Sequence, residues 1–186
     1  MIGLKESGIP GCFELQPKVF RDERGVFVKT FHEDLFAKIG LQTKWVEEYY
    51  SLSRQGVLRG LHFQLPPHEH DKIVYCVAGE VMDVVVDLRN GSPTFGQCAW
   101  FTLNSEVANM VYIPRGLAHG FFTLSDTATM MYKVSTVYAP DQDAGILWNS
   151  VDVPWPSAHP TLSQRDSEFP PFSSFVSPFL FKAEIV

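Results

Sequence analysis

The stretch Lys72–Gln97, KIVYCVAGEVMDVVVDLRNGSPTFGQ, holds two apolar runs, Ile73–Ala78 and Val81–Leu88, separated by Ala78-Gly79-Glu80 and closed by Arg89-Asn90-Gly91-Ser92-Pro93. β-Branched residues at this density favour strands, and Gly, Asn and Pro at the breaks favour turns. A hairpin is expected at the first break and a tight crossing at the second. Working outward, Cys98–Leu103, Asn109–Ile113 and Thr129–Val137 are further strand candidates, and Lys18–Phe31 alternates about an Asp-Glu-Arg-Gly turn. One helix is convincing, over Glu33–Lys38. Short strands with turn residues roughly every eight to twelve positions predict an all-β fold, a sandwich or barrel. A double-sheet jelly roll with a few short helices brings residues from several strands to one deep mouth. From about Pro154 the density of Pro, Ser and Phe predicts an irregular tail packed on the same single domain, residues 1–186.

The chain has 186 residues, 45% hydrophobic and 19% charged, with a net charge of −6. That suffices for one core of ordinary size. The acidic balance and the lack of a Lys/Arg block argue against a nucleic-acid partner, though a few arginines could hold a small diphosphate. No apolar run approaches a membrane span, no signal peptide is visible, and a cytoplasmic location is expected. Cys12, Cys76 and Cys98 are widely spaced and flanked by apolar residues, which predicts reduced packing thiols.

The chemistry centres on GVLRGLHFQ, Gly56–Gln64, with Lys72 following His62 by ten residues. Removing a proton beside a carbonyl needs a base near neutral pKa and a positive charge where the enolate oxygen develops, and His62 and Lys72 supply these types. Strand parity puts Asp83 and Asp87 on one face of Val81–Leu88. Asp83 is either paired with a cavity His or Lys or turned to solvent, since an unpaired buried charge is costly. A metal reading rests on His62, His68, His70 and His119. Metal-binding cupins carry His-x-His, a Glu, a Gly and then Pro-x-Gly-x-x-His; this chain has His68-x-His70, Gly79 and Pro114-Arg-Gly116-Leu-Ala-His119, with Val74 and Tyr75 where the Glu belongs. The outline is similar to a cupin whose metal site has been lost, and no metal is expected.

GVLRGLHFQ, Lys72, DVVVDLR, GSPTFGQ, YIPRGLAHGF (Tyr112–Phe121), TLSDTA, MYK (Met131–Lys133), YAP, ILWN and LSQRD follow one another from about Lys18 to Asp166. In this order they resemble the dTDP-4-dehydrorhamnose 3,5-epimerase family. The resemblance implies a cofactor-free isomerase acting on a nucleotide-diphospho-4-keto-6-deoxyhexose. It implies His62 as base, Asp166 as the carboxylate orienting it, Lys72 beside the C4 keto oxygen, and Tyr132 as the acid on the opposite face of the sugar. His119, with Asp83 as its orienting partner, is implied as a second cavity histidine, and Arg59 and Arg24 as diphosphate contacts, a role that suits a guanidinium. In the family the amino-terminal strands cross to a neighbouring subunit, so a homodimer is expected, with Arg24 serving the other copy.

The chain departs from the family at Glu47-Glu48-Tyr49-Tyr50-Ser51, where Gln-Asp-Asn-His-Ser is usual, and at Lys29, which replaces a common Glu. Glu47, Tyr49 and Lys29 thus fall in the nucleotide pocket. A carboxylate only accepts hydrogen bonds, which suits an exocyclic amine, so a CDP-sugar is expected over a dTDP-sugar. At Val137-Tyr138 the double epimerases commonly have two tyrosines; the altered wall predicts inversion at C3 alone. A dTDP-4-dehydrorhamnose 3,5-epimerase proper, a 4-keto-sugar ketoisomerase and a sugar-nucleotide-binding cupin module without catalysis are the alternatives.

Overall fold

The computed structural model describes residues 2–182 of the chain. Its strands are β1 (Gly3–Glu6), β2 (Phe13–Gln16), β3 (Val19–Asp22), β4 (Gly25–Val28), β5 (Glu47–Arg54), β6 (Leu58–Gln64) and β7 (Lys72–Ala78). They continue as β8 (Glu80–Asp87), β9 (Cys98–Asn104), β10 (Met110–Ile113), β11 (Leu117–Thr123), β12 (Thr127–Val134) and β13 (Asp143–Gly145). Two short helices, α1 (Glu33–Lys38) and α2 (Gln164–Ser167), and two 3-10 turns, Pro140–Gln142 and Phe172–Ser174, complete the regular structure of the described residues. A six-stranded sheet in the order β1-β2-β10-β7-β12-β5 faces a five-stranded sheet in the order β13-β6-β11-β8-β9, while β3 and β4 pair only with each other. This is the expected all-β, cupin-like jelly roll.

Three apolar layers hold the sheets. Val74, Val81, Val85, Leu103, Val111 and Phe121 fill the space between them. Met82, Val84 and Val86 belong to a second layer beneath Trp148, Phe179 and the half-buried Trp155, Phe172 and Phe175 of the late chain. β8 is therefore covered on both faces, which is why its sequence is a nearly unbroken apolar run instead of an alternating one. On the six-stranded sheet, Phe36 of α1 packs with Leu41 on Leu15, Ile73, Tyr75 and Met110.

Two turn assignments exchange places. β7 and β8 lie in different sheets, so Ala78-Gly79-Glu80 is a corner between layers and not a hairpin. Gly79 (φ +81°) makes the corner possible, because a Cβ there would lie 2.1 Å from the Thr127 carbonyl oxygen. The antiparallel pair is β8 with β9, joined by the segment that begins at Arg89. Asp87 anchors that segment, accepting from Arg89 Nε at 2.8 Å, Ser92 Oγ at 2.6 Å and Thr94 Oγ1 at 2.7 Å. β12 also ends at Val134, short of Val137. Ser135 and Thr136 leave the ladder to bond the 68–71 loop, through the Asp71 carbonyl at 3.1 Å and the His68 carbonyl at 2.8 Å.

The helix at Glu33–Lys38 stands as read. α2 was not foreseen: four residues are too few to show a period. Its one local signal is Ser163, whose hydroxyl oxygen accepts the Asp166 amide at 3.1 Å as an N-cap. Beyond Pro154 the chain is otherwise irregular apart from one 3-10 turn at Phe172–Ser174, and it touches the sheets through bridges Val57 to Thr161 and Asn90 to Leu180. Among the described residues no helix is long and apolar enough to cross a membrane.

Candidate active site

A cavity of about 360 Å³ opens between the two sheets, lined by residues of β5, β6, β7, β11 and β12 together with Tyr138, Asp143 and Arg165. Close approach of β6 and β11 sets its floor. Gly60 has φ +130°, and a Cβ on it would lie 2.6 Å from Gly120 Cα; one on Gly120 would lie 2.6 Å from the Arg59 carbonyl oxygen. With side chains at neither position the strands close up where their register shifts, and His62 and His119 face each other as cross-strand neighbours.

Each histidine is backed by a carboxylate. His62 Nε2 lies 2.8 Å from Asp166 Oδ1, while Asp166 Oδ2 accepts the Gly60 amide at 3.1 Å. Burial raises the Asp166 carboxyl, but His62, the Gly60 amide and Ser163 outweigh it and hold the group below the ordinary carboxylate range. An ionised Asp166 only accepts, so Nε2 carries the imidazole proton and Nδ1 keeps the free lone pair. Burial lowers the His62 pKa below 6.5 against the opposing pull of Asp166, with Arg165 and Lys72 lowering it further. The ring is accordingly neutral at neutral pH. His119 Nε2 lies 2.8 Å from Asp83 Oδ2, both side chains being buried. Of the two alternatives for Asp83, the paired one holds. Burial raises its carboxyl, and His119 and Lys72 oppose the shift.

Lys72 enters from β7 in the opposite sheet, 6% exposed. Among the described residues it has no carboxylate in ion-pair contact, and burial brings its pKa down to about 8 despite Asp143 and Asp83. An unpaired ammonium buried beside a cavity is a strong stabiliser for an oxyanion that forms next to it. Tyr132, also from the opposite sheet, is 7% exposed, its hydroxyl 3.2 Å from Ser51 Oγ. Its ring stacks on Tyr49 at 4.7 Å and 14°, and stands 6.2 Å from the His119 ring. Burial pushes the Tyr132 phenol far above its ordinary 10.0, so it holds its proton at neutral pH; Tyr49 is pushed up to about 12.

The mouth is polar. Arg59 Nε donates to Ser53 Oγ at 2.9 Å, Glu47 Oε2 accepts the Tyr138 amide at 2.8 Å, and the Tyr138 hydroxyl donates to Asp143 Oδ2 at 3.2 Å. Arg165 pairs with the same Asp143 oxygen. Sequence reasoning missed Arg165, although it precedes Asp166 in LSQRD, and missed Asp143, which carries no local signal.

Two expected binding residues are not brought to this cavity. Arg24 is exposed at the β3–β4 turn, paired with Asp22 at 2.6 Å. Lys29 lines a separate depression of about 250 Å³ with Phe20, Phe27 and His32. Val137 does not line the cavity either, whereas Tyr138 does. Among the described residues no group of three or more His, Cys, Asp or Glu is arranged to hold a metal ion. His70, one of the four histidines considered as ligands, instead accepts from Gln64 Nε2 at 3.2 Å.

Residues 6–174 match the model of the dTDP-4-dehydrorhamnose 3,5-epimerase family. The chain is 45% identical over 161 residues to the dTDP-4-dehydrorhamnose 3,5-epimerase of Shigella flexneri, covering 85% of this chain and 89% of that one. It is 40% identical over 168 residues to the dTDP-4-dehydrorhamnose 3-epimerase of Streptomyces niveus, covering 89% and 81%. The crystal structure of the dTDP-6-deoxy-D-glucose-3,5-epimerase of Legionella pneumophila in complex with dTDP-4-keto-L-rhamnose superposes with a TM-score of 0.93 at 33% identity, over 98% of this chain and 100% of that one.

Proposed function

This chain belongs to the dTDP-4-dehydrorhamnose 3,5-epimerase family and is an isomerase of the epimerase class, and from that premise we propose that it inverts C3 and C5 of a dTDP-4-keto-6-deoxyhexose. The observation that carries this reading is the cavity's two-walled chemistry: a neutral, carboxylate-backed His62 on one sheet, and a protonated Tyr132 with an unpaired Lys72 on the other. His62 Nδ1 takes the proton from the carbon beside the ketone. The electron pair moves onto the C4 oxygen, where Lys72 stabilises the enolate. Tyr132 then delivers its own proton to the opposite face of the same carbon, which inverts it. Both C3 and C5 adjoin the ketone, so the same groups serve both once His62 has released its proton to solvent, Tyr132 has regained one from solvent, and the ring has re-posed.

The expectation of C3-only inversion rested on the loss of a tyrosine at Val137, a position that does not reach the cavity lining, while Tyr138 keeps one tyrosine on that wall. Two epimerisations are our reading on the name of the Shigella relative, while the 3-epimerase name of the Streptomyces relative marks the other outcome. Arg59 and Arg165 suit the diphosphate at the mouth. The β3–β4 hairpin stands apart from both sheets with Phe20 and Phe27 exposed; in our reading a second copy covers it, the hairpin carries Arg24 and Lys29 to that copy's site, and the working unit is a homodimer. A water-soluble sugar nucleotide as substrate fits a cytoplasmic enzyme.

The nucleotide has a second reading. Glu47 spends one carboxylate oxygen on the Tyr138 amide and leaves the other as a pure acceptor in the cavity, which favours cytosine N4 over thymine. The names of the relatives favour thymine. Measuring kcat/KM for dTDP- and CDP-4-keto-6-deoxyglucose side by side decides between them. At least tenfold preference for the dTDP-sugar is expected; a preference for the CDP-sugar assigns base reading to Glu47, and no turnover of either overturns the proposed activity.

A further inference from the structure

Phe169 takes no part in the reaction above, yet its ring is applied directly to the group that acts as base. It meets the His62 imidazole edge to face, 5.6 Å between ring centres and 72° between planes. The Arg165 guanidinium stands 5.4 Å from the centre of the same ring. The slot that receives the ring exists because position 145 is glycine: a Cβ on Gly145 would lie 2.5 Å from Phe169 Cε2 and 2.7 Å from the Leu61 carbonyl oxygen. Gly145 is the register partner of His62 across β13 and β6, so the slot opens directly beside the imidazole. The next residue fixes the chain in place, the Pro170 carbonyl accepting the Leu147 amide at 2.8 Å.

From these contacts we propose that Phe169 is a positioning residue for His62, holding the imidazole plane in line with Asp166 and keeping water from its exposed edge. The inference rests on the reading of His62 as the base. Charged and titratable groups contact the imidazole, act on it or share its cavity: Asp166 and Arg165 of α2, Lys72 of β7, His119 of β11 with Asp83 of β8 behind it, Tyr132 of β12, Asp143 of β13 and His70 of the loop before β7. Phe169 is the aromatic ring stacked edgewise with the imidazole itself. An imidazole edge against a ring loses hydration it would otherwise keep, and its charged form loses more than its neutral form. Burial is the largest cause of the lowered His62 pKa, in keeping with that role.

The test is the titration of the His62 ring, followed by proton NMR, together with the pH profile of kcat/KM, in Phe169→Ala, Phe169→Leu and Gly145→Ala. In Phe169→Ala the His62 pKa is expected to rise by about half a pH unit or more, the acid limb of kcat/KM to move up with it, and kcat to fall about tenfold with KM within about threefold. Phe169→Leu, which restores apolar cover, should return the titration most of the way, and Gly145→Ala, which evicts the ring, should reproduce the rise. A folded Phe169→Ala protein with unchanged His62 titration and unchanged kcat overturns the proposal. Should Phe169→Ala fail to fold, the Gly145→Ala titration decides in its place. The NMR titration needs no substrate, so an enzyme inactive on the sugar nucleotide would sink the functional reading while the shift still reports on Phe169.

Discussion

His62→Ala is expected to fold as the parent does and to lose at least three orders of magnitude in kcat for epimerisation, with little change in the affinity for dTDP. The side chain is partly open to the cavity, held by the 2.8 Å bond to Asp166 and flanked by the Phe169 ring, so its loss costs little packing. General-base catalysis typically contributes about 10²–10⁴-fold, and His119, the neighbouring carboxylate-backed histidine, is buried deeper than His62. The parent enzyme should show a bell-shaped kcat/KM. A base works only when neutral, and burial lowers the His62 pKa below 6.5, so activity falls on the acid side only beneath that value. On the alkaline side it falls as Lys72 loses its charge near about 8. In His62→Ala the acid limb should vanish from the residual activity while the alkaline limb stays. Steady-state kinetics across pH checks both statements; an acid limb that survives the substitution assigns it to another group.

Tyr132→Phe separates the two halves of the reaction. The phenol is buried, bonded to Ser51, and raised so far by burial that it remains a proton donor throughout the working range. Without it His62 can still take a proton and return it to the same face. Exchange of substrate protons with solvent should therefore continue at a substantial fraction of the parent rate, while inversion falls by about 10²-fold or more. Mass spectrometry of recovered substrate and NMR of the product measure the two rates on one sample. Equal loss of both would mean that Tyr132 acts before proton removal, and loss of neither would remove it from the chemistry. The stack on Tyr49, 4.7 Å between ring centres, remains available to phenylalanine, so the pocket keeps its shape in this variant.

How much of this could be read from the residues follows from the range of each interaction. Strands β7 to β10 were legible because a β-branched run and its flanking turn residues are local. Their assignment to sheets was not, since Gly79 is a turn residue in a hairpin and in a corner alike, and only the distant Thr127 carbonyl at the corner tells them apart. Parity placed Asp83 and Asp87 on one face, but the partner of each, His119 in one case and Arg89 in the other, needed the third dimension. In the site, Arg59 and His62 lie in one motif and Lys72 close after it, and family resemblance brought in the rest. Asp166 meets His62 across 104 residues of chain, a contact that no spacing rule contains. At Val137-Tyr138 the resemblance gave the positions, but only the structure shows that β12 ends at Val134 and that of the two only Tyr138 lines the cavity.

The central claim, that two facing walls of one cavity remove and return protons at both carbons beside a ketone, is tested most directly by incubating the enzyme with dTDP-4-keto-6-deoxyglucose in heavy water and following the product by proton NMR. The account predicts deuterium at C3 and at C5, each in an inverted centre. Deuterium confined to one carbon, or carried at both without inversion, would contradict it.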